Sequence, residues 1–234
     1  MNRAKADIWQ VLQESWPPER TSRYGAFLWQ DGGTGGNRVN AARALGPISF
    51  KDVETLETHF ASQGRTPLFQ ITQNDSKLDS ILAKKGYDIR DKTVCFSAPV
   101  EQLSSTHGET NSVQWPPSDT HREHWARAGI GPDRLAIMER VRLPKTVISL
   151  EGGLAFVAVH GPNAALHAMD VAPKMRRQGK ATQLIAQAAS WASSHGATTL
   201  ALLATTANSP AMSLYSSLGM QRAQGYHYRM KEDQ

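Results

Sequence analysis

Arg176-Arg177-Gln178-Gly179-Lys180-Ala181 is the stretch whose reading decides the fold. An apolar, strand-like run from Leu166 to Val171 stands before it, closed by Pro173. After it, Thr182 to His195 places Leu184, Ile185, Ala188, Trp191 and Ala192 at the spacing of a helix with one buried face. A basic, glycine-containing loop therefore leaves a strand and opens a helix. The first N–H groups of that helix have no partner within it, and its dipole favours negative charge there. Gly179 carries no side chain to keep a ligand off the backbone. A phosphate-bearing ligand fits such a loop. Basic loops before helices are common, however, so the elements that follow carry the decision.

Thr199 to Ala204 is a second apolar run, short enough for a buried strand. Asn208-Ser209-Pro210 opens the next helix, with Ser209 as N-cap and Pro210 at the first helical position. Ala211, Leu214, Tyr215 and Leu218 share one face of it, and Gly219 ends it. Here the chain resembles the GNAT-type N-acetyltransferase superfamily. Three features match in order: Arg-x-x-Gly-x-Ala (Arg176, Gly179, Ala181), Asn208, and Ala-x-x-Leu-Tyr-x-x-Leu-Gly from Ala211 to Gly219. The resemblance is clear from Pro144 to Met230 and weaker before that.

The whole chain has 234 residues and a formal charge of +5. That length suits one large domain or two small ones. Lys and Arg are spread along the sequence, the one dense group is the proposed phosphate loop, and no zinc-finger or RNA-recognition spacing occurs; no nucleic-acid partner is expected. Residues 1–10 lack the apolar core of a signal peptide, and no run reaches the length of a membrane span. Cys95 is the single cysteine. It allows no intrachain disulfide, and a cytoplasmic protein is expected.

Along the N-terminal part, Ala4–Glu14 reads as a helix stopped by Pro17-Pro18, and Tyr24–Gln30 as a strand. The glycines between Asp31 and Gly36 lack any Lys-Ser or Lys-Thr sequel and read as a flexible hairpin. Lys51–Gln63 (helix), Pro67–Thr72 (strand), Ser76–Lys85 (helix) and Tyr87–Ala98 (strand) then repeat the element order of the C-terminal end. Ser62-Gln63-Gly64 parallels Ser194-His195-Gly196, and the run Ser80 to Gly86 parallels Ser213 to Gly219. If this is a repeat, its first copy lacks Arg-x-x-Gly-x-Ala before the Lys51 helix, and Leu82 stands where the second copy has Tyr215.

The expected fold is α/β (α+β), with two GNAT-like domains, each a mixed, mostly antiparallel sheet flanked by helices. Residues 1–105 form a degenerate copy without the cofactor motif and 106–234 the catalytic copy, joined by the Ser/Thr/Pro/Gly-rich run from Pro99 to Pro117. Two short helices, Ser118–Ala128 and Pro132–Val141, precede three antiparallel strands, Thr146–Leu150, Leu154–Val159 and Ala164–Val171. His121 and His124 share a helix face but have no third ligand motif, so no metal is expected.

The resemblance implies acetyl transfer from acetyl-CoA to a primary amine. It implies that backbone N–H groups of Arg177, Gln178, Gly179, Lys180 and Ala181 hold the pyrophosphate, with Arg176 and Lys180 adding charge or staying solvated. The pantetheine arm would lie beside Met169 and Val171, between two splayed strands. Tyr215 would protonate the leaving thiolate, its alternative being a core residue. Asn208 would bond pantetheine or the loop, its alternative being a turn residue. An amine with a pKa near ~10.4 must lose a proton before attack. His167 and Asp170 are the base candidates, expected on opposite strand faces because their separation is odd; histidine is the better matched base near neutrality. Trp29, Arg38 and Asn40 are candidates for an acceptor wall, with packing as the alternative. The acceptor is a small-molecule or peptide amine of open identity, and a homodimer is left open. A non-catalytic acetyl-CoA sensor or scaffold, and an N-terminal substrate-binding module, are the rival readings.

Overall fold

The computed structural model describes residues 3–104 and 112–231. In chain order the elements are α1 (Arg3–Glu14), β1 (Arg20–Tyr24), β2 (Phe27–Asp31), β3 (Ala42–Ala44), α2 (Phe50–Ser62), β4 (Leu68–Thr72), α3 (Ser76–Lys84), β5 (Asp88–Pro99), α4 (Val100–Leu103), β6 (Ser112–Gln114), α5 (Asp119–Arg127), α6 (Pro132–Arg140), β7 (Lys145–Leu150), β8 (Gly153–His160), β9 (Asn163–Val171), α7 (Lys180–Ser194), β10 (Thr199–Thr205), α8 (Ser209–Ser217) and β11 (Gln221–Met230). The fold is α/β, as expected. Two compact units result, and neither is a continuous piece of chain. One comprises Met1–Pro17, Cys95–Ala204 and Ser209–Ala223; the other comprises Pro18–Val94, Thr205–Asn208 and Gln224–Gln234. The expected boundary at 105/106 lies outside the described residues, and these units do not follow a simple halving of the sequence.

The second unit is built on β1-β2-β3-β4-β11. β3 and β4 run parallel, joined by α2, while β11 lies antiparallel to β4, pairing Tyr226 with Thr72 and Met230 with Leu68. Phe27, Trp29, Phe69 and Ile71 of the strands meet Val53, Leu56 and Phe60 of α2 and Leu78 and Leu82 of α3 in one core. The strand expected at Tyr24–Gln30 is present as β2 from Phe27, while its first residues are the end of β1 and the turn of a hairpin. Gly25 at φ +57 reverses the chain, and β1 pairs back along β2. β1 is nearly all exposed, so no apolar alternation marks it in the sequence. Trp29 and Asn40 belong to this unit's own framework. Trp29 lies under the Arg65 guanidinium, 4.4 Å from its ring centre, and Asn40 ties the glycine loop through Gly32, Gly33 and Gly36.

The first unit orders its strands β5-β10-β9-β8-β7-β6. β7, β8 and β9 form an antiparallel meander, as expected, and β9–α7–β10 is a parallel crossover. Leu184, Ile185, Ala188, Ala189 and Ala192 give α7 its fully buried face. Trp125 of α5, Leu135 and Met138 of α6 and Leu154 and Phe156 of β8 form a second cluster, and Val11 and Leu12 of α1 a third with Ala165, Ala201 and Cys95. Cys95 is fully buried, which suits a small apolar residue rather than a nucleophile. α4 and β6 fall in the expected linker, whose residues 105–111 lie outside the described residues.

The order of elements bears on the repeat. β3–α2–β4–α3–β5 runs parallel to β9–α7–β10–α8–β11, helix for helix and strand for strand. The closing strands are exchanged: β11 pairs with β4 and β5 flanks β10.

Candidate functional site

β9 and β10 pair in parallel from Asn163/Thr199 to Leu166/Leu202, and there the register ends. His167 to Val171 continue along β8 alone, so β9 presents a backbone edge that β10 has left. Met169 and Val171 lie on this segment and are half-buried.

The same segment is bulged. Leu154 faces Asp170 and Phe156 faces His167, so two residues of β8 oppose a longer span of β9. Ala168 takes up the extra length at φ +50, a left-handed conformation that L residues adopt at a cost. Its carbonyl accepts a 2.8 Å hydrogen bond from the indole Nε1–H of the fully buried Trp125. Because Leu154 and Phe156 share a face, so do their partners. His167 and Asp170 are therefore on one face of the sheet, and the expectation of opposite faces is corrected: an odd separation implies opposite faces only in an unbulged strand.

Beyond Val171 the chain makes a 3-10 turn at Pro173–Met175 and enters the basic loop. Arg177 and Gly179 both have positive φ, +63 and +74, a succession that turns backbone N–H groups toward a common side. The loop braces itself: Arg176 Nε donates to Val171 O at 2.8 Å and Gln178 Nε2 to Lys174 O at 3.0 Å. Met175 fills the space over Gly152, where a Cβ would meet its side chain at 2.4 Å. Arg176 to Gly179 are exposed; Lys180 and Ala181 are half-buried.

Gly179 is the N-cap of the 15-residue α7 and offers no side-chain cap, so the helix begins with its N–H groups available to a ligand. The helix α2, by contrast, is closed at its N-terminus. Ser49 and Asp52 form a capping box on α2, with the Asp52 carboxylate taking the Ser49 N–H at 2.8 Å. A carboxylate in that first turn occupies the position and charge that an anion would need.

Tyr215 of α8 is 6 % exposed, and its ring packs edge-on to Phe96 at 5.3 Å. Burial alone pushes its phenol up to about 12. It stays protonated at any working pH, which is the state a proton donor needs. Asn208 is exposed in the turn between β10 and α8, where its backbone N–H bonds Thr205 O at 3.0 Å.

The two base candidates fare differently. His167 is buried, and its Nε2 lies 2.7 Å from Ser15 Oγ. The Ser15 hydroxyl donates to Val11 O, so it accepts from His167 Nε2–H. Trp16 tilts against the same imidazole at 5.1 Å. Asp170 receives His124 Nε2 at 2.8 Å and lies 3.7 Å from Arg176 Nη2. His124, Trp125, Ser15 and Trp16 are the residues that sequence reasoning did not bring to the site. The His121/His124 face was visible in the sequence, but its partners were not. His121 Nδ1 closes the capping box with Ser118, and its Nε2 meets Ser149 Oγ at 3.0 Å. Burial lowers the His121 pKa, and the charge of His124 lowers it further. Among the described residues no group of three or more His, Cys, Asp or Glu could hold a metal ion, and no helix is long and apolar enough to cross a membrane.

The β9–β10 pairing thus ends just before the bulged strand feeds a helix N-terminus without a side-chain cap. The sequence pattern of the acetyltransferase (GNAT) family matches residues 101–220, and this chain belongs to that family. It is 26% identical over 240 residues to an uncharacterized N-acetyltransferase, YobR, of Bacillus subtilis (strain 168), covering 96% of this chain and 97% of that one. Its fold is similar to a GCN5-related N-acetyltransferase from Kribbella flavida, with a TM-score of 0.69 at 18% identity over 99% of this chain and 95% of that one. It is also similar to a tandem GNAT protein from the clavulanic acid biosynthesis pathway, with a TM-score of 0.58 at 12% identity over 91% and 83% of the two chains.

Proposed function

We propose that this chain transfers an acetyl group from acetyl-CoA to a primary amine by direct attack of the amine on the thioester. The observation that carries the reading is the end of the β9–β10 register at Leu166/Leu202, followed along β9 by the open N-terminus of α7. The donor supplies an activated acyl thioester; the chain's own groups bind, orient and move protons. N–H groups from Arg177 to Ala181 bond the pyrophosphate, where the helix dipole adds to their attraction. Backbone groups of Met169 and Val171 on the unpaired edge bond the pantetheine amides, as a third strand would. Tyr215, neutral and buried, gives its proton to the departing thiolate.

The N-terminal half is a degenerate copy of the same fold. The matching element order, the capping box closing α2, and the fully buried Leu82 in place of Tyr215 support this. Catalysis then resides in the C-terminal copy.

A thermal-shift titration of the full chain with acetyl-CoA, CoA and ATP tests the reading. Both CoA species should stabilise the protein and ATP should not; at ~100 times Kd the gain is about 2.7 kcal/mol. No shift with either CoA species overturns the donor site. A sensor or scaffold, the rival reading, would shift equally but acetylate none of a panel of amines.

A further inference from the structure

The proton that the attacking ammonium must lose has no acceptor in the mechanism above, and His167 is a poor one. Its side chain is 7% exposed and held between Ser15 and Trp16, so an acceptor ammonium does not reach its ring. His124 is placed differently. Two successive residues of α5 grip the bulged segment of β9: Trp125 through Ala168 O, and His124 through the Asp170 carboxylate. Asp170 lies between Met169 and Val171, the residues that edge the proposed pantetheine site. The His124 and Asp170 side chains keep 18% and 20% of their surface exposed, so the pair is sheltered but reachable. With Nε2 turned to Asp170, Nδ1 is the free nitrogen; it has no partner among the described residues and is not buried.

We infer that His124 Nδ1 is the general base of the reaction and that Asp170 is the positioning residue that fixes its tautomer and steadies the imidazolium. The inference rests on the acetyltransfer reading. In the step, Nδ1 takes a proton from the acceptor ammonium, and the freed nitrogen lone pair forms the C–N bond to the thioester carbonyl carbon. The C–S bond breaks, and the thiolate takes the phenolic proton of Tyr215. As the tetrahedral centre collapses, the nitrogen gives its second proton back to the Tyr215 phenolate, so the products are the amide, free CoA and a His124 imidazolium that returns its proton to solvent. Asp170 is the charged group paired with His124, Arg176 of the following loop lies against Asp170, and His121 is one turn away on α5. Asp170 serves as hydrogen-bond acceptor in this arrangement rather than as the base itself.

Two measurements test it. The first needs no acceptor: imidazole ¹⁵N signals of the full chain, saturated with acetyl-CoA at pH 8, should report His124 as the neutral Nε2–H tautomer. An imidazolium or an Nδ1–H tautomer there overturns the inference. The second uses whichever of tyramine, spermidine and lysine the wild type acetylates fastest. His124→Gln keeps an N–H for Asp170, so the fold and the acetyl-CoA thermal shift should persist. Its kcat should fall about 100-fold, KM for acetyl-CoA should hold, and the acid limb of the kcat profile should vanish. Free imidazole should partly rescue His124→Ala, which a merely structural histidine would not allow. Asp170→Asn should lower kcat without moving KM for acetyl-CoA. Wild-type turnover in His124→Gln overturns the inference and leaves the acetyltransfer reading intact, whereas failure of the wild type to bind acetyl-CoA removes both.

Discussion

His167 and Asp170, three positions apart on β9, project from the same face of the sheet because Ala168 between them is bulged. The bulge sends His167 toward Ser15 of α1 and Asp170 toward His124 of α5. It also holds an alanine at φ +50, which costs about 1–2 kcal/mol in a left-handed conformation. Ala168→Gly should therefore raise stability by up to about 1 kcal/mol, after the entropy that glycine adds to the unfolded chain. Ala168→Val, branched at Cβ, should lower it by more than that. Urea unfolding of the pair measures both, and equal stabilities would mean that the bulge is unstrained.

Gly179 separates backbone conformation from ligand access. A Cβ there would meet open space, but φ is +74. Gly179→Ala should cost about 1–2 kcal/mol of stability and still bind acetyl-CoA. Gly179→Glu should abolish the acetyl-CoA shift, because it sets a carboxylate where the pyrophosphate would bind. Calorimetric titration with acetyl-CoA distinguishes them, and retained affinity in the glutamate variant would refute the pyrophosphate assignment.

Tyr215→Phe keeps the ring against Phe96 and removes only the hydroxyl. Stability and acetyl-CoA affinity should barely change, while kcat falls about 10- to 100-fold. With its phenol pushed up to about 12, Tyr215 should contribute no limb to the wild-type rate profile between pH 6 and 10. Unchanged turnover in the variant would leave Tyr215 a packing residue.

In the second unit, Asp79 accepts Arg229 Nε–H at 2.7 Å and His227 Nε2 at 2.8 Å. The Arg229 bond is the main cause that holds its carboxyl below the usual range; burial opposes, and His227 adds to the lowering. A depressed carboxylate stabilises the native state above its unfolded pKa, near ~3.9, and that contribution is lost as pH falls through the folded value. Asp79→Asn should therefore weaken the protein at pH 7, and its deficit should shrink as the pH drops below about 4. Urea midpoints across that range check it; a deficit independent of pH would assign the effect to packing.

Much of this was legible in the chain. The helix periods of α2, α3 and α7, the glycine ends at Gly86 and Gly219, and the three-strand meander are local patterns, set by side chains within a few residues of one another. The loop from Arg176 to Ala181 and Tyr215 were legible as a motif. β1, β3 and β6 were not, because they are short or solvated and are defined by their neighbours rather than by their own alternation.

The sequence by itself determined the α/β class, the family and the basic loop that opens α7, since propensity, glycine conformation and motif spacing act over a few residues. Only the tertiary structure decided which closing strand joins which partner, because a strand edge pairs with whatever register the rest of the fold offers it. It alone decided the face of Asp170 as well, since one left-handed residue reverses every parity argument beyond it. The pairing of His124 with Asp170 spans 46 positions. No local signal encodes such a contact; it exists because Trp125 and the bulged carbonyl bring α5 and β9 together.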